Sequence, residues 1–193
     1  MAVTATQITQ QIRLANPNLK GKDWLKLSSA IGKGVQTWLV IPANVQLQGV
    51  ATGVLGVGVI PTGKVIVAPS ISAMVGAFAS NGLKGVDALR LAKAIATGVS
   101  SAINTTGEYY GSSAGVGTGV DVCKVIRANQ KTLQGILMGS FTSLGIVGSD
   151  TIKLSRAISV GVSSILFTGV GTSGVTGTVS PIPSGGVTTL FMR

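Results

Sequence analysis

The chain has 193 residues, of which 45% are hydrophobic and 28 are glycine, and it carries a formal net charge of +10. That apolar content excludes a disordered chain, while a single cysteine and the lack of histidine exclude a disulfide framework, a cysteine-based metal site and any catalytic triad that needs histidine. The basic excess indicates an anionic partner, whether nucleic acid, an acidic protein surface or lipid headgroups, although the basic residues are scattered along the chain and form no cluster.

An apolar-periodic segment near the start of each third of the chain predicts a helix. These segments cover about residues 6–16, 70–80 and 130–143, and they end at Asn16-Pro17, Asn81-Gly82 and Gly145. The first segment is more polar than the other two, which is typical of the terminal unit in a repeat array.

The sequence is organised around a motif that follows each of these helices and occurs three times. It reads Gly-x-Asp-x-(Leu/Ile)-(Lys/Arg)-Leu-(Ser/Ala)-x-Ala-Ile-x-x-Gly-Val and covers residues 21–35, 85–99 and 148–162. Since the aspartates stand at 23, 87 and 150, the repeat is about 63 residues long, a period that is typical of repeat architectures.

Each copy of the motif predicts an amphipathic helix. Apolar or small residues recur two, four, seven, eight, eleven and twelve positions after the aspartate, and we interpret them as one buried stripe. Asp23, Asp87 and Asp150 follow a glycine turn and are expected to be the N-caps, where a carboxylate accepts backbone N–H groups and faces the positive end of the helix.

Within each predicted helix an alanine and a glycine stand four positions apart on the buried face. The pairs are Ala30 with Gly34, Ala94 with Gly98, and Ala157 with Gly161. A glycine inside a helix costs about 1 kcal/mol relative to alanine, so its return at one position predicts the close approach of another backbone. The alternative is shared ancestry of the copies with no present packing role.

A basic residue stands three positions after each aspartate: Lys26, Arg90 and Lys153. These three residues are the candidate contacts with an acidic partner. The alternative is that they form an ordinary solvated flank of the helix.

Sequence rich in glycine and β-branched residues follows each motif, at 49–63, 111–120 and 169–181. The alternation of Val with Gly or Thr predicts extended arms that lie against a neighbour, by adding a strand or wrapping a partner subunit, and the alternative is a long surface loop. The expected fold class is therefore mainly α with extended Gly-rich β segments (α+β), built from three pseudo-equivalent repeats of about 63 residues, each a helix-turn-helix pair followed by an extended arm. The boundaries are 1–65, 66–128 and 129–193, within one continuous structural unit.

Four long runs contain no charged side chain, at 34–63, 65–83, 132–149 and 157–192, and each is nominally long enough to span a bilayer. Prolines, Asn, Gln and many glycines interrupt them, and a broken helix in lipid leaves backbone groups unpaired. We interpret the runs as protein interior, with membrane insertion as the alternative. The N-terminus shows no secretory signal.

Catalytic chemistry has few residues to draw on. With three aspartates at helix starts, only Glu108 and Asp121 remain of the five acidic residues. Acid–base catalysis by a carboxylate pair would have to use those two, and metal sites draw on more ligands. The sequence therefore predicts a protein that is not an enzyme, with no catalytic residue, no metal site and no cofactor.

The short basic chain, the internal repeats, the Gly/Val/Thr-rich segments and the lack of catalytic residues together resemble the small virion structural proteins of tailed bacteriophages, which are found in baseplates, tails and necks or as capsid cement. The resemblance covers the general style of the whole chain and transfers no functional residue. It implies a virion subunit that is assembled in the host cytoplasm, as a homo-oligomer or part of a symmetric hetero-assembly, with other structural subunits as partners. The alternatives are a membrane-associated or pore-type protein and a basic, nucleic-acid-associated packaging or connector protein.

Overall fold

The computed structural model describes residues 5–18, 20–39, 45–48, 52–54, 57–114, 118–125, 129–163, 169–174 and 187–191. Over these residues the protein is mainly helical, with α1 (Ala5–Ala15), α2 (Lys22–Leu39), α3 (Ile71–Ser80), α4 (Val86–Thr106), α5 (Gln130–Ser143) and α6 (Ser149–Ser163). The strands are β1 (Val45–Gln48), β2 (Thr52–Val54), β3 (Val57–Val67), β4 (Glu108–Ala114), β5 (Thr118–Val125), β6 (Gly169–Gly174) and β7 (Val187–Phe191). The six predicted helices are thereby confirmed.

The six helices form a closed ring. Each packs against the next in chain order, and α6 returns to α1. Hydrogen bonds join each pair of neighbouring hairpins. Ser140 Oγ donates to the carbonyl of Ala94 and Asn16 Nδ2 donates to the carbonyl of Lys153, both at 2.7 Å, and Lys33 Nζ donates to Ser80 Oγ at 3.4 Å. A single helical hairpin cannot bury its apolar face, so the three hairpins bury one another's.

The hydrophobic core lies inside this ring, and its largest buried side chains include Trp38, Phe78 and Phe141. Helix α3 and all of α5 after its first two residues lie in two of the charge-free runs, and these helices bury Met74 and Leu137 in the same core. Packing within the protein therefore accounts for the apolar character of these two runs. None of the helices in the described ranges is both long and apolar enough to cross a bilayer.

Glycines end α3 and α5 as the sequence predicts. Gly82 and Gly145 adopt φ of +78° and +73°, in the left-handed region that favours glycine. The amide of Leu83 then donates to the carbonyl of Phe78 at 3.0 Å, and that of Ile146 donates to Phe141 at 2.9 Å. This is the Schellman arrangement, which satisfies the last carbonyls of a helix and turns the chain tightly into the next one.

The predicted N-cap role of Asp23, Asp87 and Asp150 is wrong. Gly85 is the N-cap of α4, with φ +103° and no side-chain capping bond, and α2 and α6 likewise begin directly after Gly21 and Gly148. The glycine can adopt the positive φ that the turn requires, so the helix starts two residues earlier than expected. Each aspartate is thus the second helical residue, where its charge still complements the positive helix end.

The recurring glycines lie where consecutive hairpins meet. A Cβ built on Gly34 would stand 2.5 Å from Met74 Sδ, one on Gly98 would stand 2.8 Å from Leu137 Cδ2, and one on Gly161 would stand 2.6 Å from Ile12 Cγ1. Each of these glycines faces the first helix of the following hairpin, and the third contact closes the ring onto α1. The alanines four residues earlier, Ala30, Ala94 and Ala157, are fully buried.

We expect Gly98→Val to lower the free energy of unfolding by about 2 kcal/mol, because the added methyl groups would overpack the contact with α5. Gly139→Val is the matched control, since no atom lies within 4 Å of a Cβ built on this helical glycine. Its effect should stay within about 0.5 kcal/mol, because valine is no worse a helix former than glycine. Urea unfolding followed by circular dichroism measures both, and equal effects would refute the close-packing role.

The seven strands form one antiparallel sheet in the order β1-β7-β6-β5-β4-β3-β2, and β1 also pairs with β3. Six strands therefore close on themselves, with β2 added beside the start of β3. The described strands differ from the expected arms, because their backbone groups pair with other strands of the same chain instead of with a neighbouring protein. The predicted boundary between residues 65 and 66 is also wrong: it falls inside β3, which continues to Val67, just before Ala68-Pro69.

Two side chains tie the sheet to the helical ring. Asn104 in α4 accepts a hydrogen bond from the amide of Val67 at 2.6 Å and donates one to the carbonyl of the same residue at 3.2 Å. The indole Nε1 of the buried Trp38 in α2 donates to the carbonyl of Ala68 at 2.7 Å. The end of β3 is thereby anchored to α2 and α4.

Asn104→Ala should lower the free energy of unfolding by about 1–2 kcal/mol, since it leaves both backbone groups of the buried Val67 without their partner. Hydrogen exchange of the Val67 amide should accelerate in parallel. Thr105→Ala serves as the control, because the Thr105 hydroxyl donates to Ser101 within α4. If Thr105→Ala had as large an effect on the exchange of Val67, the anchoring role of Asn104 would be refuted.

Candidate functional site

A cavity of about 660 Å³ lies at the end of the ring where the chain turns from the first helix of each hairpin into the second. All three hairpins line it. Leu27, Leu91 and Leu154 stand at the same position of the three motif copies, four residues after the aspartate, and each contributes to the wall. The turn residues Leu83 and Ile146 contribute as well; the corresponding Leu19 lies outside the described residues. The wall is therefore mainly apolar.

The position directly after each aspartate also faces this cavity, but it differs in size among the three copies. It is Trp24 in the first, Ala88 in the second and Thr151 in the third. The small residues in the second and third copies leave space that an indole fills in the first. The three hairpins therefore contribute the same leucine to the cavity wall but side chains of different size at this position.

The three aspartates, Asp23, Asp87 and Asp150, lie at the rim of the cavity. Each is almost fully exposed and pairs with the basic residue of its own copy. The closest distances are 3.9 Å for Asp23 to Lys26, 4.0 Å for Asp87 to Arg90 and 3.1 Å for Asp150 to Lys153. Pairs this exposed contribute little to stability, so the fold does not need them.

Next to the aspartates lies a set of apolar side chains that the fold leaves exposed. Leu25, Leu89 and Ile152, two positions after each aspartate, are 47%, 51% and 51% exposed. None of them belongs to the buried core. Val86 and Val147 at the same end are more exposed still. We call Leu25, Leu89 and Ile152 the apolar triad.

The prediction that this position belongs to the buried stripe is wrong. Each residue advances a helix by about 100°, so the second position after the aspartate lies about 160° from the fourth. The fourth, seventh, eighth, eleventh and twelfth positions cluster on one side, and the second lies outside their arc. The sequence therefore contains a signal for the apolar triad. All three copies carry an apolar residue at an angle around the helix axis that lies outside the arc of the core-facing positions.

Basic side chains surround this end of the protein. In the turns and first helical turns, residues 16–27, 81–91 and 144–154, six described basic residues stand beside the three aspartates: Lys20, Lys22, Lys26, Lys84, Arg90 and Lys153. All six are exposed. Lys26, Arg90 and Lys153, which are the candidate acidic-partner contacts from the sequence, are thus at the cavity end and already paired with an aspartate.

The other predicted residues lie away from this end. The close-packing residues are buried between helices and line no part of the cavity. Glu108 begins β4, and the register of Ser112 with Val122 places Asp121 five residues along the sheet from it. At about 3.4 Å per residue this is about 17 Å between backbone positions along the strands, so the register does not place the two residues side by side.

Among the residues that the structure describes, no three of the His, Cys, Asp and Glu type group closely enough to hold a metal ion. A comparison of the chain with protein-family models, curated proteins and solved structures finds no match. The functional proposal is therefore based on the geometry of the residues at the turn end of the ring.

An anionic aromatic dye that binds apolar surfaces tests whether the cavity accepts a ligand. We expect 1-anilinonaphthalene-8-sulfonate to bind there, and Ala88→Trp to weaken this binding about tenfold, or about 1.4 kcal/mol, by adding a second indole equivalent to Trp24. Ser101→Trp, on the exposed surface of α4, is the control for the added aromatic residue. Fluorescence titration measures both variants, and equal dye binding by the two would show that the dye does not use this cavity.

Proposed function

We propose that the protein is a non-enzymatic structural subunit of a large protein assembly, of the kind found in the virions of tailed bacteriophages. The observation that carries this proposal is the apolar triad: three equivalent apolar side chains that are half exposed and lie outside the buried core. Buried apolar area is the main source of association free energy between proteins. An apolar side chain that the fold leaves half exposed at the same position of three motif copies is best explained by contact with another protein.

The three motif copies act in this proposal as pseudo-equivalent repeats around one axis. The cyclic order of the helix contacts and the glycine contacts between successive hairpins support this arrangement. The repeats are held in one chain, so the ring forms without subunit association. The protein then contributes a rigid element with approximate threefold symmetry to a virion that is assembled in the host cytoplasm.

The contact with neighbouring subunits runs, in this proposal, through the turn end of the ring. The described strands pair with one another, so the Gly-rich segments contribute to the fold of this chain where they are described. The exposed apolar and basic side chains lie instead at the turns. Acidic structural subunits, in a symmetric hetero-assembly, are the partners that this surface fits.

No catalytic step is part of the proposal. The chain has no histidine, and three of its five acidic residues are exposed beside a basic partner. A surface with exposed apolar and basic residues also fits an anionic membrane, which makes peripheral membrane binding the second candidate. Sedimentation with vesicles of anionic phospholipid separates the two candidates, because a subunit that docks only on protein stays in the supernatant.

The triple variant Leu25→Ser, Leu89→Ser and Ile152→Ser should keep its free energy of unfolding within about 1 kcal/mol of the parent, since these side chains are half exposed. Its incorporation into particles should fall about tenfold, because each serine removes apolar area from the contact. Quantitative mass spectrometry of gradient-purified particles measures the copy number. Leu91→Ser is the opposite control, because Leu91 packs against the core and its replacement should lower stability.

The proposal predicts a fixed number of copies per particle for the parent protein. If the parent were found only as free monomer while the particles were complete, the assembly role would be refuted. Normal incorporation of the triple variant would refute the role of the apolar triad alone.

A further inference from the structure

We infer that the turn end of the ring is the docking face for one end of a homotrimeric protein, whose contact surface has an apolar tip at its threefold axis and, around that tip, three apolar patches and acidic side chains. This inference rests on the proposed structural role and names the symmetry and the chemistry of the partner. It is carried by the apolar triad, by the basic residues beside it and by the cavity that the three hairpins share.

The first argument is symmetry. Each motif copy places the same three kinds of side chain at this end: an aspartate, an exposed Leu or Ile, and a Lys or Arg paired with the aspartate. A partner of three identical chains around an axis can make the same contact three times, with one patch meeting each copy. An asymmetric partner would make a different contact with each copy, so it would not require the same kind of residue at the three exposed positions.

The second argument is apolar area. The apolar triad is about half exposed, Val86 and Val147 at the same end are more exposed, and the cavity of about 660 Å³ is walled mainly by apolar side chains. The cavity lies where the three hairpins meet, so an apolar tip at the partner's axis reaches all three walls. A partner that fills the cavity and covers the apolar triad gains burial in both places.

The third argument is charge. Six basic residues and three aspartates lie in the turns and first helical turns, and the whole chain carries +10. A second copy of this chain would bring the same positive excess to the interface, and like charges in juxtaposition oppose association. A partner with carboxylates around its axis meets the basic residues instead, so an acidic trimer is the occupant that the surface favours.

Photo-crosslinking in the assembled particle tests the inference. Benzoylphenylalanine replaces Leu25, Leu89 or Ile152 in three separate variants, and Ser101, exposed on α4 away from the turns, is the control position. Incorporation of each variant into particles shows first that it folds and assembles. Irradiated particles are then digested, and mass spectrometry identifies the residue that each position has captured.

The expected result is that all three positions capture the same short segment of one protein, that this protein is a homotrimer, and that acidic residues flank the segment. Capture of different segments or different proteins, of another copy of this chain, or of lipid would overturn the inference. So would incorporation without any crosslink from the three positions. In all of these outcomes the assembly role stands, whereas absence of the parent protein from particles refutes that role itself.

Matched charge variants complete the test. Lys26→Gln, Arg90→Gln and Lys153→Gln together remove one cation from each of α2, α4 and α6 at the turn end, while Lys33→Gln, Lys93→Gln and Arg156→Gln remove one from each of the same helices farther from the turns. The first set should lower the crosslinking yield at Leu89 about tenfold, and the second should leave it within about twofold. Equal losses of crosslinking yield in the two sets would show that only the net charge of the protein matters. That result would overturn the inference that acidic residues of the partner contact the turn end.

Discussion

The structure depends on the close approach of helices at three glycines. Gly34, Gly98 and Gly161 each sit against the first helix of the following hairpin, where a Cβ would come within 3 Å of a side chain. At this separation the buried faces of consecutive hairpins interlock, and the third contact, with Ile12, returns to the start of the chain. A helical hairpin exposes its apolar face until it is covered. Closure of the ring covers all three faces within one molecule, so the stability of the fold does not depend on its concentration.

Closure of the ring also positions the candidate site. The turns of the three hairpins come together at one end because α1, α3 and α5 each end at a turn and the next helix begins directly after a glycine of positive φ. The second helices therefore present their first turns around a shared cavity, and the residues of those turns fall into two groups. The fourth position after each aspartate faces the cavity, and the second is exposed outside the core.

Much of this arrangement could be predicted from the sequence, because helical periodicity and glycine turns act locally. The helices and the close packing at Gly98 follow from spacing alone. The misassignments come from what periodicity does not specify. Gly85 caps α4 in place of Asp87 because a glycine with positive φ lets the helix start earlier, and Leu89 is exposed because its angle around the helix lies outside the arc that faces the core. The ring and the closed sheet are long-range pairings: a single sequence predicts which residues must be covered, but not what covers them.

The three copies are alike at the rim of the cavity, and inside it they differ at the position directly after the aspartate. At the rim, each copy keeps the aspartate, the exposed Leu or Ile and the basic residue, and these side chains contribute little to the fold. Inside, Trp24, Ala88 and Thr151 differ in volume, which a packed core would not tolerate without compensation elsewhere. Side chains that are alike without a structural need point to an external contact made three times. Trp24 and Ala88 also pack against the core, so a tip that enters the cavity from outside meets an indole on one wall and small side chains on the other two.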